Sequence, residues 1–311
     1  MMQIEVRKLQ VSDNNFKAQH NIEKFIKEAE DRYNGEIRRV AEGVRESIES
    51  KSIMMICGPS ASGKTTTAGK IRKILGEYGI KAPVVSLDDF YFPTEKLPRT
   101  EDGKIDFESV YGLDLELLWK CFKELIETGK ADFPRYDFNS KKQIMGENHI
   151  EIGKKDILII EGIHALNPVI SEKLNKESFI NLYIEATAEF SDGDKVLLKA
   201  GDTRMIRRMV RDYHHRASSL DNTMDMWKGV IEGEEKYIRP YIHLADYIVN
   251  TSHDYEPNIF HNYLFPLLEE ALNKGSEYEG TYKRLEYALD RFDDISKEYM
   301  PEDSLLQEFI L

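Results

Sequence analysis

Apolar residues recur along the chain with two periods, and their alternation predicts the elements. From about residue 21 to residue 50 the spacing is helical: Ile22, Phe25, Ile26 and Ala29 mark one face, then Ile37, Val40, Ala41 and Val44 another. Residues 53–57 form an unbroken apolar run of strand length, the pattern of a strand covered on both faces. Ile71, Ile74, Leu75 and Tyr78 then fall at i, i+3, i+4 and i+7, with Gly76 and Gly79 where that helix should stop. Further strands are predicted at 84–87, 157–160, 180–184 and 247–250. Strands separated by helical stretches imply a doubly wound α/β fold: a parallel sheet of about five strands with right-handed crossovers and helices at both ends of the chain. In such sheets ligands bind beyond the carboxyl ends of the strands, so the polar residues just after each strand are the candidates for chemistry. The pattern divides the chain into an N-terminal helical extension (1–50), a central domain (51–272) and an acidic C-terminal helical segment (273–311). Helices within that last segment, from about 282 to 299, are expected to form an interface or to cover the core.

Composition narrows the class. The chain has 311 residues, 32% charged and 41% apolar, enough for one large domain with a full core. No run of eighteen apolar residues is present, and the N-terminus lacks the apolar stretch of a signal peptide, so the expectation is a cytoplasmic protein without a membrane partner. Cys57 and Cys121 are too few for a disulfide framework or thiolate metal site, and Cys57, ending an apolar run, is expected to be a buried free thiol. A net charge of −13 argues against a nucleic-acid partner, because phosphate backbones need a basic footprint.

The strongest chemical signal is Gly-Pro-Ser-Ala-Ser-Gly-Lys-Thr at 58–65, which matches G-x-x-x-x-G-K-[ST] in full between a predicted strand and a predicted helix. Glycines at 58 and 63 let the backbone curl until successive N–H groups point inward at phosphate oxygens, and the helix N-terminus adds partial positive charge. Gly58, Ser60, Ala61, Ser62, Gly63, Lys64, Thr65 and Thr66 are therefore the candidate ATP-binding residues. Lys64 should reach the β- and γ-phosphates and Thr65 Oγ1 should ligate Mg2+. A chance Gly/Ser turn would not match eight positions in this context. The motif points to a nucleoside triphosphate and is silent about the reaction.

Residues after the later strands speak to the acceptor. The second strand ends in Ser86-Leu87-Asp88-Asp89-Phe90-Tyr91, where Asp88 could accept a proton from an attacking hydroxyl and help hold Mg2+, or could make a strand-end turn. The third ends in Glu161-Gly162, placing an acid where a metal or water anchor is expected beside a phosphate loop. Arg204, Arg207, Arg208 and Arg211 fall on one helix face, with Met205, Ile206, Met209, Val210 and Tyr213 opposite. Four like charges on one face repel each other without an anion, so in an acidic protein the stripe reads as stabilising a transferring phosphoryl group. Solvated surface is the alternative. His214 and His215 read as surface residues, and His164 as uncertain in its facing.

Taken together and in this order, these residues resemble the uridine kinase and phosphoribulokinase family, over roughly residues 53–250. The motifs are the phosphate loop, SLDDFY, PRYDF at 134–138, IIEGI and DTRMIRRMVRD; the stretches at 232–237 and 304–310 are similar to bacterial uridine kinase-like nucleoside kinases. The resemblance implies transfer of the ATP γ-phosphoryl to a primary hydroxyl, for a nucleoside the 5′ one, with a lid helix at about 202–216. It puts the general base on Asp88, the ribose ligand on Glu108, and pyrimidine stacking on Tyr136. It further implies lid roles for Arg208, Arg211 and Arg216, and an acceptor contact for Tyr91. Where uridine kinases read the base with a histidine, this sequence has Lys141, a donor only, so the base edge being read can differ. After Arg216 the chain runs Ala217-Ser218 in place of Gly-Arg, and an insertion-like stretch at 189–201 precedes the arginine helix. The expected catalyst is thus an ATP- and Mg2+-dependent kinase of uridine or cytidine. A kinase of another nucleoside, a sugar or a sugar phosphate, or a non-catalytic ATP-dependent switch, are the alternatives. The sequence leaves a homo-oligomer open.

Overall fold

Every apolar run of strand length becomes a strand of one parallel sheet. The computed structural model describes residues 4–100, 103–137, 140, 142–175 and 178–310. Across the sheet the strands lie in the order Tyr247–Asn250, Phe179–Glu185, Ile53–Cys57, Leu158–Glu161, Val84–Ser86, all parallel. The first strand in sequence is thus central, and the chain leaves it toward one edge before returning to build the other. That reversal opens a crevice at the carboxyl end of Ile53–Cys57, where the glycine loop sits.

The unbroken apolar pattern of this central strand has the expected cause. Met54 and Ile56 join a core with the helices Ile22–Ser47, Lys64–Glu77 and Glu256–Asn273, while Ile53, Met55 and Cys57 join a second core against Leu115–Thr128 on the opposite face. Cys57 is a buried free thiol, as expected, and Cys121 is buried and free as well. The N-terminal helix departs from its two-faced reading. Phe25, Ile26, Ala29, Tyr33, Ile37, Val40, Ala41 and Val44 form a single buried stripe, because steps of three and four residues keep one side of a 26-residue helix in line.

Two features were not legible as elements. Arg7–Gln10 pairs parallel with Ala188–Asp192, which pairs antiparallel with Lys195–Leu198, so the insertion-like stretch at 189–201 is a hairpin recruiting the N-terminal strand into a small sheet. Lys130–Asp137 and Lys142–Glu151 form an antiparallel ribbon, with Pro134 at its register shift, where a missing N–H does least damage. In the C-terminal segment the helix expected over 282–299 is Glu279–Leu289, followed by turns. This acid-rich segment covers the core: Leu285, Leu289, Leu305, Leu306 and Phe309 have no exposed surface. Among the described residues no helix is long and apolar enough to cross a membrane.

Candidate active site

The glycine loop closes on itself as its sequence requires. Gly63 has φ +88°, a left-handed conformation that the glycine supplies without strain, and Ser62 N–H donates to Pro59 O at 3.2 Å. Gly58 is equally constrained: a Cβ there would lie 2.2 Å from Ile184 O and 2.6 Å from Ser62 Oγ. Lys64 opens the helix Lys64–Glu77 and its Nζ rests on Pro59 O at 3.1 Å. Thr251 Oγ1, just past the edge strand, donates to Ser62 O at 2.7 Å, and Tyr33 Oη lies 2.8 Å from Thr67 Oγ1. Strand end, N-terminal helix and loop thus hold one another.

From this loop a cavity of about 680 Å³ runs toward the second strand. Ser60, Ala61, Gly63, Lys64 and Thr65 line one end; Tyr91, Phe92, Leu97, Phe107, Glu108 and Tyr136 line the other, with Asp88 and Glu161 in the walls. Asp88 follows Ser86, whose Oγ caps the turn Leu87–Phe90 by accepting from Asp88 N–H at 3.3 Å. Its side chain is exposed to the cavity, but desolvation by the surrounding walls raises its pKa, and Lys64, Arg216 and Arg211 pull it back down. Glu161 ends the third strand and is 5% exposed. Burial pushes it up to about 7, with Asp88 and Glu308 adding to the rise and Lys64 and a bond from Ser86 opposing it. Thr65 Oγ1 donates to Glu161 Oε1 at 3.4 Å.

The acceptor end combines rings with a carboxylate. Tyr91 Oη donates to Phe107 O at 3.2 Å, and Tyr136 N–H donates to Asp89 Oδ1 at 2.9 Å, which docks the ribbon on the turn carrying Asp88. Glu108 is largely buried, and desolvation lifts its pKa to about 7, with Arg208 lowering it and Glu234, Asp106 and Asp88 raising it. Its stem packs where a Cβ on Gly233 would come within 2.4 Å. Lys141 lies outside the described residues, as does Phe138 of the PRYDF stretch.

The arginine stripe does not face one anion as expected. The helix Asp202–Arg216 is buried along most of its length, so its arginines divide by their partners. Arg204 forms two hydrogen bonds with Glu234 at 2.6 and 2.8 Å, and Arg207 forms two with Glu256 at 2.6 and 2.8 Å, all inside the protein. Arg204 Nη1 also reaches Ser60 O at 3.4 Å, and Arg207 Nη1 reaches Ala61 O at 3.3 Å while its Nη2 donates to Thr251 O at 2.7 Å, so this pair braces the glycine loop from behind. Arg208, Arg211 and Arg216 line the cavity; Arg208 Nη1 donates to Ser60 Oγ at 2.9 Å. All three surround the buried Asp212, at 3.3, 2.9 and 3.4 Å, which leaves two positive charges unbalanced within that group. Asp212, the last residue of the motif, was missed, although its i+4 spacing from Arg208 is a readable signal. His214 and His215 are exposed; His164 is buried edge-on to Tyr237 and is not among the cavity's lining residues.

The residues fit a magnesium ion held in the manner of phosphate-loop enzymes. Among the described residues no three His, Cys, Asp or Glu side chains are grouped to hold a metal alone. Thr65 Oγ1 and two carboxylates whose pKa values desolvation raises, Asp88 and Glu161, do line the cavity beside the cradle, and substrate phosphates supply the remaining ligands in such sites.

Fold and site together are those of a P-loop kinase. The sequence pattern of the Phosphoribulokinase / Uridine kinase family matches residues 53–256, and the chain belongs to that family. It is accordingly a phosphotransferase with a hydroxyl acceptor and a nucleotide-binding P-loop. Among curated proteins it is 28% identical to a uridine kinase of Macrococcus caseolyticus over 199 residues, 64% of this chain and 87% of that one. It is likewise 28% identical to a uridine kinase of Lactobacillus helveticus, over 65% of this chain and 87% of that one. Among solved structures, the Silicibacter sp. TM1040 protein assigned as a fructose transport system kinase superposes with a TM-score of 0.50 at 18% identity, over 68% of this chain and 98% of that one. At that identity the likeness speaks for the fold alone.

Proposed function

We propose that this protein transfers the γ-phosphoryl of ATP, with Mg2+, to a primary hydroxyl of a small molecule, the 5′-hydroxyl of uridine or cytidine. One observation carries the reading: the phosphate cradle and the aromatic, carboxylate-lined chamber are two ends of one cavity, with Asp88 in its wall. The uridine kinase names of the similar proteins favour a pyrimidine nucleoside as the acceptor to test first.

In this reading the loop amides of Gly58 and of residues 60–66, with the Lys64 side chain, hold the phosphates, and Arg208 and Arg211 stabilise charge on the transferring group. Thr65 with Asp88 or Glu161 would hold Mg2+, which spreads the phosphate charge. Tyr136 offers a stacking face for the base, Glu108 accepts from ribose hydroxyls, and Tyr91 and Arg216 border the acceptor. Asp88 takes the acceptor's proton as the oxygen forms its bond to the γ-phosphorus; the bond to the β,γ-bridging oxygen breaks and ADP leaves. The desolvation at the cavity wall that lifts the Asp88 pKa makes it a stronger base than a fully solvated aspartate, and Lys64, Arg216 and Arg211 oppose that rise.

The test is turnover of Mg·ATP with a panel of nucleosides, sugars and sugar phosphates, with products identified by mass spectrometry. Wild-type protein should phosphorylate a pyrimidine nucleoside. Asp88→Asn should keep ATP binding and lose about 10²- to 10⁴-fold in kcat. Wild-type protein that binds ATP yet phosphorylates nothing on the panel would sink the reading.

A further inference from the structure

The phosphate cradle already holds a carboxylate. Glu308 Oε2 accepts from Thr66 Oγ1 at 2.6 Å and lies 3.4 Å from Thr66 N, whose N–H points at it. Glu308 lines the same cavity as Lys64, Thr65 and Asp88. Thr66 stands in the first turn of the helix after the loop, where N–H groups have no intrahelical acceptor and are the donors a phosphate oxygen would take. Glu308 lies outside the residues matched by the family pattern, 53–256.

The segment that delivers Glu308 is built in rather than draped over the surface. Leu305, Leu306 and Phe309 are fully buried, and Leu305 packs so closely on the loop that a Cβ on Gly63 would lie 2.5 Å from its Cδ1. Phe309 lies against the Arg207 guanidinium, 5.1 Å from ring centroid to Cζ. Ser304 Oγ donates to Glu30 Oε1 at 2.5 Å and meets Tyr255 Oη at 3.2 Å, which ties the segment to the N-terminal helix. On this fixed mount the Glu308 side chain remains partly exposed.

We propose that Glu308 is a resident competitor for the nucleotide: its carboxylate occupies the Thr66 end of the cradle until a nucleotide phosphate displaces it, and it thereby sets nucleotide affinity. A carboxylate and a phosphate oxygen cannot share the Thr66 donors, and their like charges oppose each other at hydrogen-bond range. The proposal rests on the reading of the loop as the ATP site.

The experiment is calorimetric titration of the folded protein with the magnesium complex of β,γ-imido-ATP, comparing wild type, Glu308→Gln, Glu308→Ala and Lys64→Met. Gln keeps the shape and an accepting oxygen but loses the charge. Binding should tighten about tenfold, the gap between a charge-assisted and a neutral hydrogen bond at Thr66. The alanine variant should move the same way, and the KM for ATP should fall with it. Equal or weaker binding by both Glu308 variants, with wild-type binding lost in Lys64→Met, overturns the competitor and leaves the loop reading intact. If neither wild type nor the Glu308 variants bind while all unfold cooperatively, both readings fall.

Discussion

Glu161 offers a test of the site that needs no substrate. It stands at the end of a central strand, 5% exposed, with Asp88 and Glu308 as acidic neighbours, and its pKa is about 7 against 4.5 for an ordinary glutamate. Between those two values the folded chain holds a proton that the unfolded chain has released. A raised carboxyl therefore contributes stability that is present in full below pH 4.5 and is lost as pH rises through about 7. At about 1.4 kcal/mol per pH unit, that interval corresponds to about 3 kcal/mol. Glu161→Gln has the shape of the protonated acid and no titration. In urea denaturation without divalent cation, the variant should gain about 3 kcal/mol on wild type between pH 4.5 and pH 8. The same variant should lose most phosphoryl transfer. Excess Mg·ATP at pH 8 should narrow the stability gap, because cation binding stabilises the ionised wild-type site. A wild-type-to-variant difference that stays flat across this pH range would refute the account, since the Glu161 carboxyl would then be ordinary.

Two further substitutions probe the supports of the cradle. Gly63→Ala forces a left-handed φ of +88° on a residue with a Cβ and drives that Cβ to 2.5 Å from Leu305, so nucleotide binding should vanish in calorimetry and stability should fall by about 1–3 kcal/mol. Glu234→Ala removes the two short hydrogen bonds of the Arg204 guanidinium, which is 1% exposed, and leaves it Glu185 Oε1 at 3.8 Å, so it should cost about 3 kcal/mol by denaturant titration. The double change Arg204→Met with Glu234→Leu should recover much of that loss, because no unpaired charge is then buried.

What could be read from residue order was whatever is local. The central strand announced itself because both faces are covered, and the cradle because its eight residues are contiguous and each answers a backbone need. Asp88 and Glu161 were legible as strand ends in a parallel sheet, which brings such positions to one crevice. The ribbon at 130–137 and 142–151 was not legible. Its second strand is mostly exposed and polar, so it shows no apolar alternation.

The arginine helix marks the boundary between the two kinds of information. Its spacing alone put Arg204, Arg207, Arg208 and Arg211 on one side, and that side does face the loop. Which of them remain available to an anion depends on Glu234 and Glu256, 30 and 49 residues further on, whose carboxylates neutralise two of the four inside the protein. The same holds for Glu308, brought to Thr66 across 242 residues of chain. Periodicity records which face a side chain takes, because the helix repeat is local. Whether a charge on that face is spent on the fold or left for a ligand is decided by long-range packing, because burying a charge is favourable only where the tertiary structure supplies its partner.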